Sequence, residues 1–577
     1  MDKRFFLALL LTAIVVVATP MLFPGTSRRT IPPVVADSSR AATLPSASHA
    51  DSVGSPATAG AVATTPNSST PSSNTPAAAV AAVESTTVRA RRSTYVFSSH
   101  GASPVSVVLD SYPSRRPATG ASRAVELVRA RTPLTHYRLA LGRDTVALDT
   151  VALRPDAQGS AAAADGSPRL AYAGVAAGHA VRLDYGFVPD SFIVRVRATV
   201  ADAPAGSSLL VDLPQTLASN EPDTVEDMGH LAVSYRTGRG DVSSVGFSKV
   251  DSTETRAEGG PLTWVATRNK YFLVAYRASP RTPFSGLRLR GMPRQGKLAA
   301  DLGATATLPL VQGAASFDVY AGPQDSQRLQ KLGSDLDQVN PYGGWLNGVV
   351  QPFATIVVNV LLWVKRTTQL NYGWVLVLFG IGIRLALWPL NQGALRTSMK
   401  MQRLQPELQA IQKKYSDDPK RQQEAIMKVY KDHGMSPLSP IMGCLPMLLP
   451  MPILFALYHV FQNTVEFRGV SFLWLPDISL ADPFFVAPLL MGISMFVMSW
   501  ISMKNSPPNP QAKMMTFMMP VVMMVVFFRF ASGLNLYYAV QNIAALPQTW
   551  LISKERAKQA PVVATVQGPS AAIRRRS

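Results

Sequence analysis

The stretch YGWVLVLFGIGIRLALWPL, residues 372–390, predicts a helix that crosses a membrane. Each helical residue adds about 1.5 Å along the axis, so the run is long enough for a hydrocarbon layer of about 30 Å. Trp374 and Trp388 lie near its two ends. Tryptophan is enriched at both membrane interfaces, so the aromatic ends agree with a spanning helix.

Arg384 is the only charged residue of this stretch, and its position is compatible with two interpretations. An arginine inside a membrane costs about 3 kcal/mol on insertion scales, so such a residue usually marks a functional site. Alternatively, Arg384 lies about 9 Å from Leu390 along the helix, and a long side chain at that depth can snorkel to the headgroups. Residues elsewhere in the chain favour the functional interpretation.

The composition indicates a membrane protein with several domains. The chain has 577 residues, of which 47% are hydrophobic, and its formal net charge is +20. Much of the positive charge lies beside apolar runs, where it orients a membrane protein, and no nucleic-acid motif accompanies it. The single cysteine, Cys444, excludes an intrachain disulfide and a cysteine-cluster metal site. We therefore expect no cofactor, no metal and no specific nucleic-acid partner.

The first half of the chain predicts an anchor, a linker and an all-β domain. Residues 1–24 form an N-terminal membrane anchor, and residues 25–88, rich in Ala, Ser, Thr and Pro, form a disordered linker. Residues 89–335 contain short alternating runs separated by Gly, Pro and Asp, which predict a large periplasmic β-sandwich. An acidic group in that domain suggests a calcium or sugar site, or a solvated loop, which we favour. Its members are Glu221, Asp223, Glu226 and Asp227.

The second half predicts an α-helical membrane region. Residues 336–371 form a connector and an amphipathic interfacial helix, with a polar stripe at Asn347, Gln351, Thr355 and Asn359. Residues 372–553 form the helical core, which includes a basic cytoplasmic hairpin at 391–440, and residues 554–577 form a basic cytoplasmic tail. The further spans are predicted at 441–461, 484–501, 514–530 and 533–552. Six spans with both termini in the cytoplasm satisfy the positive-inside rule.

Polar and flexible residues in the spans indicate a binding groove. The six predicted spans contain no Asp or Glu, so the charge of Arg384 must be met by water, lipid, carbonyl groups or a client protein. The last span offers polar side chains, and the third is broken by prolines, which is tolerated beside a water-filled cavity. Methionines crowd the third and fifth spans, and flexible thioethers suit varied apolar partners. Together these features favour a wet, positive groove beside an apolar surface.

Several motifs carry a resemblance to a known family. They are IRLALWPL at 383–390, GCLPMLLPMPILFALYHV at 443–460, KMMTFMMPVV at 513–522 and SGLNLYYAVQN at 532–542. With the domain order, they resemble the YidC-type membrane protein insertases of Gram-negative bacteria, in the YidC/Oxa/Alb family. The resemblance implies a non-enzymatic insertase and chaperone of the inner membrane, with a five-helix core plus the anchor. It also implies four partners: nascent membrane proteins, the ribosome, the Sec translocon and membrane lipids.

The resemblance also implies two sets of site residues. The groove arginine of the family corresponds to Arg384, and the tyrosine that meets clients corresponds to Tyr538. We predict a substrate-binding groove formed by Arg384, Asn535, Tyr538, Gln541 and Asn542. We predict a hydrophobic slide formed by Met447, Met451, Phe455, Met515 and Phe517. Gly380 departs from the family, whose members often place a threonine there.

Two other functional classes are compatible with parts of the sequence. A solute or ion transporter would need internal repeats or intramembrane carboxylates, and neither is evident. A membrane-anchored carbohydrate enzyme would use the β-sandwich, and sugar binding by that domain would reveal it.

Overall fold

The computed structural model describes residues 84–116, 123–129, 132–294, 299–340, 347–389, 392, 404, 407–408, 410–416, 418–433, 451–503 and 510–559. The predicted anchor, nearly all of the predicted linker, Met447 and most of the basic tail lie outside these residues.

The first part of the described chain forms two antiparallel β-sheets. The smaller sheet contains β1 (Ser85–Arg89), β2 (Ser93–Ser98), β3 (Pro104–Pro113) and β4 (Ala124–Glu126), in that order. The larger sheet contains β5 (His136–Leu141), β6 (Asp144–Ala147), β7 (Arg154–Pro155), β8 (Arg169–Ala176), β9 (His179–Phe187), β10 (Ile193–Val200), β11 (Ser208–Asp212), β12 (Ala232–Thr237), β13 (Val242–Gly246), β14 (Thr255–Arg268), β15 (Phe272–Ala278), β16 (Phe284–Gly291), β17 (Leu302–Pro309) and β18 (Ala314–Pro323). Its order is β6-β5-β11-β17-β16-β14-β15-β18-β10-β9-β8-β7, and β12 and β13 branch from β14.

Alternation of side chains explains why these strands pack as a sandwich. In β10, Val194 and Val196 are buried, whereas Arg195 and Arg197 between them are exposed. Successive strand residues point to opposite faces, so each such strand gives one face to the core and one to solvent. Both sheets contribute to a single hydrophobic core. The predicted all-β sandwich is confirmed.

Nine described α-helices accompany the sheets. Two short ones lie in the β-sandwich, α1 (Thr224–Gly229) and α2 (Ser326–Leu332). The others are α3 (Asn347–Thr368), α4 (Tyr372–Ala386), α5 (Pro419–Asp432), α6 (Met451–Asn463), α7 (Val486–Met503), α8 (Pro510–Phe527) and α9 (Ser532–Gln559). Helix α9 packs against α7 and α4, α7 packs against α8, and α3 packs against α6. A second hydrophobic core joins all of these helices except α5.

Length and apolar composition identify few membrane-crossing helices among the described residues. Helix α7 is long and apolar enough to cross a membrane, and α3 and α4 qualify together as a pair bent by 117°. The described part of the chain therefore contains one such helix, or two if the bent pair is one span. A helical region after the β-sandwich is confirmed.

Helix α3 differs from the predicted amphipathic pattern. Its buried face contains Ala354, Val358 and Leu361, which pack in the second hydrophobic core. Its exposed side is not purely polar, because Ile356 and Trp363 are 60% and 61% exposed. Apolar side chains on two sides suit a helix that contacts other helices and lipid at once.

The region of the predicted hairpin contains a helix cap and an apolar seam. Oδ1 of Asp418 accepts hydrogen bonds from the backbone N–H groups of Lys420 and Arg421, both at 3.2 Å, and thereby caps α5. A small hydrophobic cluster joins the two arms. Its described members are Leu404, Leu408, Ile411, Ile426, Val429 and Tyr430.

The acidic group of the β-sandwich is not a solvated loop, so that interpretation was wrong. Glu221 forms an ion pair with Arg468 at 2.7 Å, and Glu226 forms one with Lys270 at 2.9 Å. Asp227 is 2% exposed and accepts a hydrogen bond from the Lys270 backbone N–H at 3.1 Å. The described residues contain no metal-binding group of three or more His, Cys, Asp or Glu side chains. Glu221 and Glu226 are instead paired with cations from distant parts of the chain, whereas Asp223 caps α1 by accepting from the Val225 and Glu226 N–H groups.

Glu466 is a half-buried residue in the α6–α7 loop, residues 464–485. Its Oε2 atom is buried and has no hydrogen-bond partner among the described residues. Burial, followed by the negative charge of Asp325, raises the pKa of Glu466 from 4.5 to about 8. At neutral pH the folded protein therefore holds a proton that an unfolded glutamate has released.

We predict that Glu466→Gln changes the pH dependence of stability. A raised folded-state pKa favours folding at low pH, and this contribution is lost as pH rises from 4.5 toward about 8. The neutral amide lacks this dependence, so the variant should unfold at a higher temperature than the parent at about pH 8, with a smaller difference at about pH 5. Thermal unfolding of the purified full chain checks this, with Glu424→Gln on the exposed side of α5 as the control. Equal pH dependence in both variants would contradict it.

Candidate substrate groove

Helix α4 holds Arg384 close to α9 because a glycine at their interface lets the two helices approach. The side-chain oxygen of Asn371 accepts the Gly373 N–H at 2.9 Å and fixes the start of α4. One turn before Arg384, a Cβ at Gly380 would lie 3.1 Å from Cγ1 of Val540 on α9. Small residues allow such close approach between membrane helices. The absence of a side chain at Gly380 therefore sets the spacing of α4 and α9.

Arg384 is half-buried and is held by a neutral amide. Its Nη2 donates to Oε1 of Gln548 on α9 at 2.9 Å, and Nε2 of Gln548 donates to the Trp388 carbonyl at 3.2 Å. Gln548 is 1% exposed, so this amide is oriented inside the protein. The Nε atom of Arg384 is buried without a partner among the described residues, none of which provides a carboxylate to pair with it. The positive charge is thus positioned but not neutralised.

Gln541 lies on the same face of α9 and bridges toward α4. Its Nε2 donates to the Gly380 carbonyl at 3.2 Å and to the Tyr537 hydroxyl at 2.9 Å. Gln541 and Gln548 are seven residues apart, which is close to two helical turns. Gln548 is absent from the predicted groove set. Its spacing from Gln541 places both residues on one helix face, and this signal in the sequence could have identified it.

The other predicted groove residues face α7 and α8. Asn542 donates to the Ser494 hydroxyl on α7 at 3.1 Å, and the Tyr538 ring contacts that of Phe527 on α8 with centroids 5.4 Å apart. Asn535 is fully buried and donates to the Phe527 carbonyl at 3.1 Å. In this conformation Asn535 joins two helices and does not line an accessible groove. The structure therefore places Gln548 on Arg384 and Gln541 on the α4 backbone one turn before it. The remaining predicted groove residues contact α7 or α8; they are Asn535, Tyr538 and Asn542.

The predicted slide is described in part. The backbones of Met451 and Met515 lie in α6 and α8, and Phe455 on α6 is half-buried. Phe517 on α8 is half-buried and contacts Phe496 on α7, with ring centroids 5.3 Å apart. The most exposed apolar side of α8 instead carries residues at spacings of four, three and four. They are Met514, Met518, Val521 and Val525, which are 46–58% exposed.

The β-sandwich contains a separate polar groove of about 1010 Å³. Arg195, Arg277 and Asp318 line it from three neighbouring strands. Its aromatic neighbours Tyr185 and Phe317 are 2% and 3% exposed, so they belong to the core. Among the described lining residues, none presents the open aromatic face on which a sugar ring usually stacks.

The Arg384 site is suited to attract anionic groups and to release them again. A guanidinium whose neighbours are neutral amides attracts carboxylates strongly in a medium of low dielectric constant. The amides of Gln541 and Gln548 keep the site polar without cancelling its charge. The arrangement can therefore hold a polar or acidic segment beside apolar helices.

Comparisons with known proteins agree with both halves of the structure. A family model described as the YidC periplasmic domain matches residues 85–356, and one described as 60Kd inner membrane protein matches residues 363–559. The membrane protein insertase YidC of Neisseria gonorrhoeae is 32% identical over 405 residues, which cover 65% of this chain and 70% of the relative. That of Chlorobaculum tepidum is 29% identical over 424 residues, which cover 69% of this chain and 70% of the relative.

A solved structure of an active YidC insertase with its first transmembrane domain resolved is also similar. It shares 21% identity, with a TM-score of 0.34, and the match covers 81% of this chain and 92% of that one. The two family matches follow one another along the sequence, first across the β-sandwich and then across the helices that hold Arg384. With a relative that is 32% identical across 70% of its length, they identify the chain as a member of the YidC family of membrane protein insertases.

Proposed function

We propose that this protein inserts nascent membrane proteins into the inner membrane and assists their folding, with Arg384 as the residue that receives a client's polar segment. The observation that carries the proposal is the half-buried guanidinium of Arg384, held by Gln548 and unpaired with any described carboxylate. A permanent acidic partner would cancel the attraction for clients. Membership in an insertase family supports this function, and none of the relatives supports the transporter.

The proposed topology has six spans, a periplasmic β-sandwich and cytoplasmic termini. The bend of 117° between α3 and α4 supports an interfacial α3. If α4 crosses the membrane upright, α3 lies about 27° from the membrane plane, with lipid beside its exposed Ile356 and Trp363. The basic hairpin and tail then lie in the cytoplasm, as the positive-inside rule requires.

The proposed mechanism separates polar from apolar parts of the client. A short polar segment enters the groove from the cytoplasm and is attracted to Arg384. The client's apolar helix then moves along α6 and α8 into lipid, past the predicted slide. Burial of apolar area contributes about 25 cal/mol per Å², so transfer of a whole span drives the step without ATP.

Three further contacts follow from the surface. The α5 side of the hairpin exposes Lys420, Arg421 and Lys431, and this positive charge suits ribosomal RNA at the site where clients emerge. Membrane lipids contact the exposed apolar sides of α7 and α8. The Sec translocon is proposed as a partner for clients with several spans. Helices that leave the translocon laterally could then be accepted by this protein.

Substitution of Arg384 should impair insertion in proportion to client charge. For a client with an acidic translocated segment, Arg384→Ala should slow insertion into proteoliposomes about fivefold, since a charge interaction of about 1 kcal/mol is lost. Arg384→Lys should retain most of the activity. The control is Arg529→Ala, an exposed arginine between α8 and α9. An equal loss for the acidic client and for its neutralised form would count against a charge-reading role.

Water should reach position 384 although α4 is apolar. In a Cys444→Ser background, Arg384→Cys should react with a membrane-impermeant thiol reagent added from the cytoplasmic side, because the thiolate forms only where water is present. Leu378→Cys is a matched control, since Leu378 is 43% exposed on the same helix but would face lipid. If a cysteine in the cytoplasmic hairpin is labelled but the cysteine at position 384 is not, position 384 is buried in lipid. Labelling from the periplasmic side would indicate a through-channel.

Photo-crosslinkers should identify the exit path of the client helix. Probes at Met447, Met451, Phe455, Met515 and Phe517 should include positions that capture a nascent membrane protein, and Met518 on the exposed side of α8 is added here. Probes at Leu457 and Phe527, which are 0% and 6% exposed, should not capture it. Capture by β-sandwich probes alone would exclude the slide.

A further inference from the structure

The α6–α7 loop enters the β-sandwich and becomes part of its interior. Val465 is 6% exposed and belongs to the core of the β-sandwich. Three residues later, the side chain of Arg468 is 3% exposed and forms an ion pair with Glu221, whose side chain is 8% exposed. A charged pair this deeply buried requires matched geometry, since each charge has left water.

Every nitrogen of the Arg468 guanidinium has a partner in the β-sandwich. Nε donates to Glu221 at 2.7 Å, Nη1 donates to the Pro113 carbonyl at 2.8 Å, and Nη2 donates to the Asn220 carbonyl at 3.3 Å. The guanidinium also lies 5.4 Å from the centroid of the Phe272 ring. The planar donor set of arginine fits this site in a way that the single ammonium of lysine does not.

A second arginine makes the reverse contact. Arg115 of the β-sandwich donates from Nη2 to the Gly469 carbonyl at 2.9 Å. Gly469 has a φ of +72°, and a Cβ at this position would overlap the Arg115 guanidinium. The positive φ therefore favours glycine, and any other residue would also displace the Arg115 guanidinium. The dipeptide Arg468-Gly469 is shaped to fit the β-sandwich.

The same loop holds the start of α9. The Gly469 N–H donates to Oδ2 of Asp477 at 2.8 Å, and the Asp477 carbonyl accepts the Ser532 hydroxyl at 3.1 Å. The Ser532 and Gly533 N–H groups donate to the carbonyls of Leu480 and Ile478, at 2.7 and 2.9 Å. These bonds connect the β-sandwich to the first residues of α9.

We propose that Arg468 is a positioning residue that, through Glu221, fixes the α6–α7 loop on the β-sandwich and thereby the start of α9. Helix α9 carries Gln541 and Gln548, the amides that contact α4 beside Arg384. The β-sandwich thus sets the placement of a helix on which the groove depends. A thiol reporter at the start of α9 requires no client, so its result is independent of the proposed insertase function.

Two buried reporters test the proposal in the full chain. In a Cys444→Ser background, Leu534→Cys reports on the start of α9 and Leu209→Cys reports on the β-sandwich core, because both leucines are 0% exposed. The protein is placed in lipid nanodiscs, where a water-soluble maleimide reaches both faces. Arg468→Ala and Arg468→Lys are compared with Arg529→Ala, which removes an exposed arginine just before α9.

The expected result separates the two reporters. Arg468→Ala should raise the labelling rate at 534 tenfold or more, Arg468→Lys should raise it less, and Arg529→Ala should leave it unchanged. Labelling at 209 should stay at the parent rate in every variant. Protection of both reporters in Arg468→Ala would overturn the proposal. If both cysteines, at 534 and 209, become labelled in Arg468→Ala, the result in Arg468→Lys decides. Labelling of both cysteines in the lysine variant, or of neither, would also overturn the proposal.

Discussion

A guanidinium in an apolar helix must be stabilised by nearby dipoles, and the arrangement of α4 and α9 depends on this requirement. Arg384 donates to Gln548, while Gln541 reaches the Gly380 carbonyl across a close interface, where a Cβ at Gly380 would lie 3.1 Å from Val540. A carboxylate would stabilise the arginine more strongly but would also neutralise it. Neutral amides lower the cost of burying the charge and leave its field available, which suits a site that binds and releases many clients.

Local patterns predicted the parts of the fold that depend on neighbours in sequence. Short alternating runs such as that in β10 indicated the sandwich, and the apolar run around Arg384 indicated α4. Partners distant in sequence were not predictable in this way. Glu221 seemed suited to solvent because nothing near it in the sequence pairs with it, and its arginine lies 247 residues later. Likewise, Asn535 has the composition of a groove residue, but its contact with the Phe527 carbonyl depends on how α8 meets α9.

The β-sandwich and the membrane-region helices meet through the ion pair of Arg468 with Glu221, both of which are buried. Lys270 pairs with Glu226 beside the buried Asp227, while Arg468 reaches Glu221 from the helical side. Glu466 occupies the same loop as Arg468 but is held in its protonated form by burial. The junction thus combines ion pairs with a neutralised acid, and its geometry is more specific than apolar contact alone would make it.

The bend between α3 and α4 has a consequence for the membrane around the protein. In the proposed topology, with α3 at the interface, α4 begins near the membrane surface, and Arg384 lies about 18 Å further along the axis. In a hydrocarbon layer of about 30 Å, a polar segment that reaches Arg384 from the cytoplasmic side has only about 18 Å of the layer left to cross. Since the protein's own dimensions fix that remainder, a change in lipid chain length alters the distance from the cytoplasmic surface to Arg384, which is about 12 Å in such a layer, and thinner membranes shorten it.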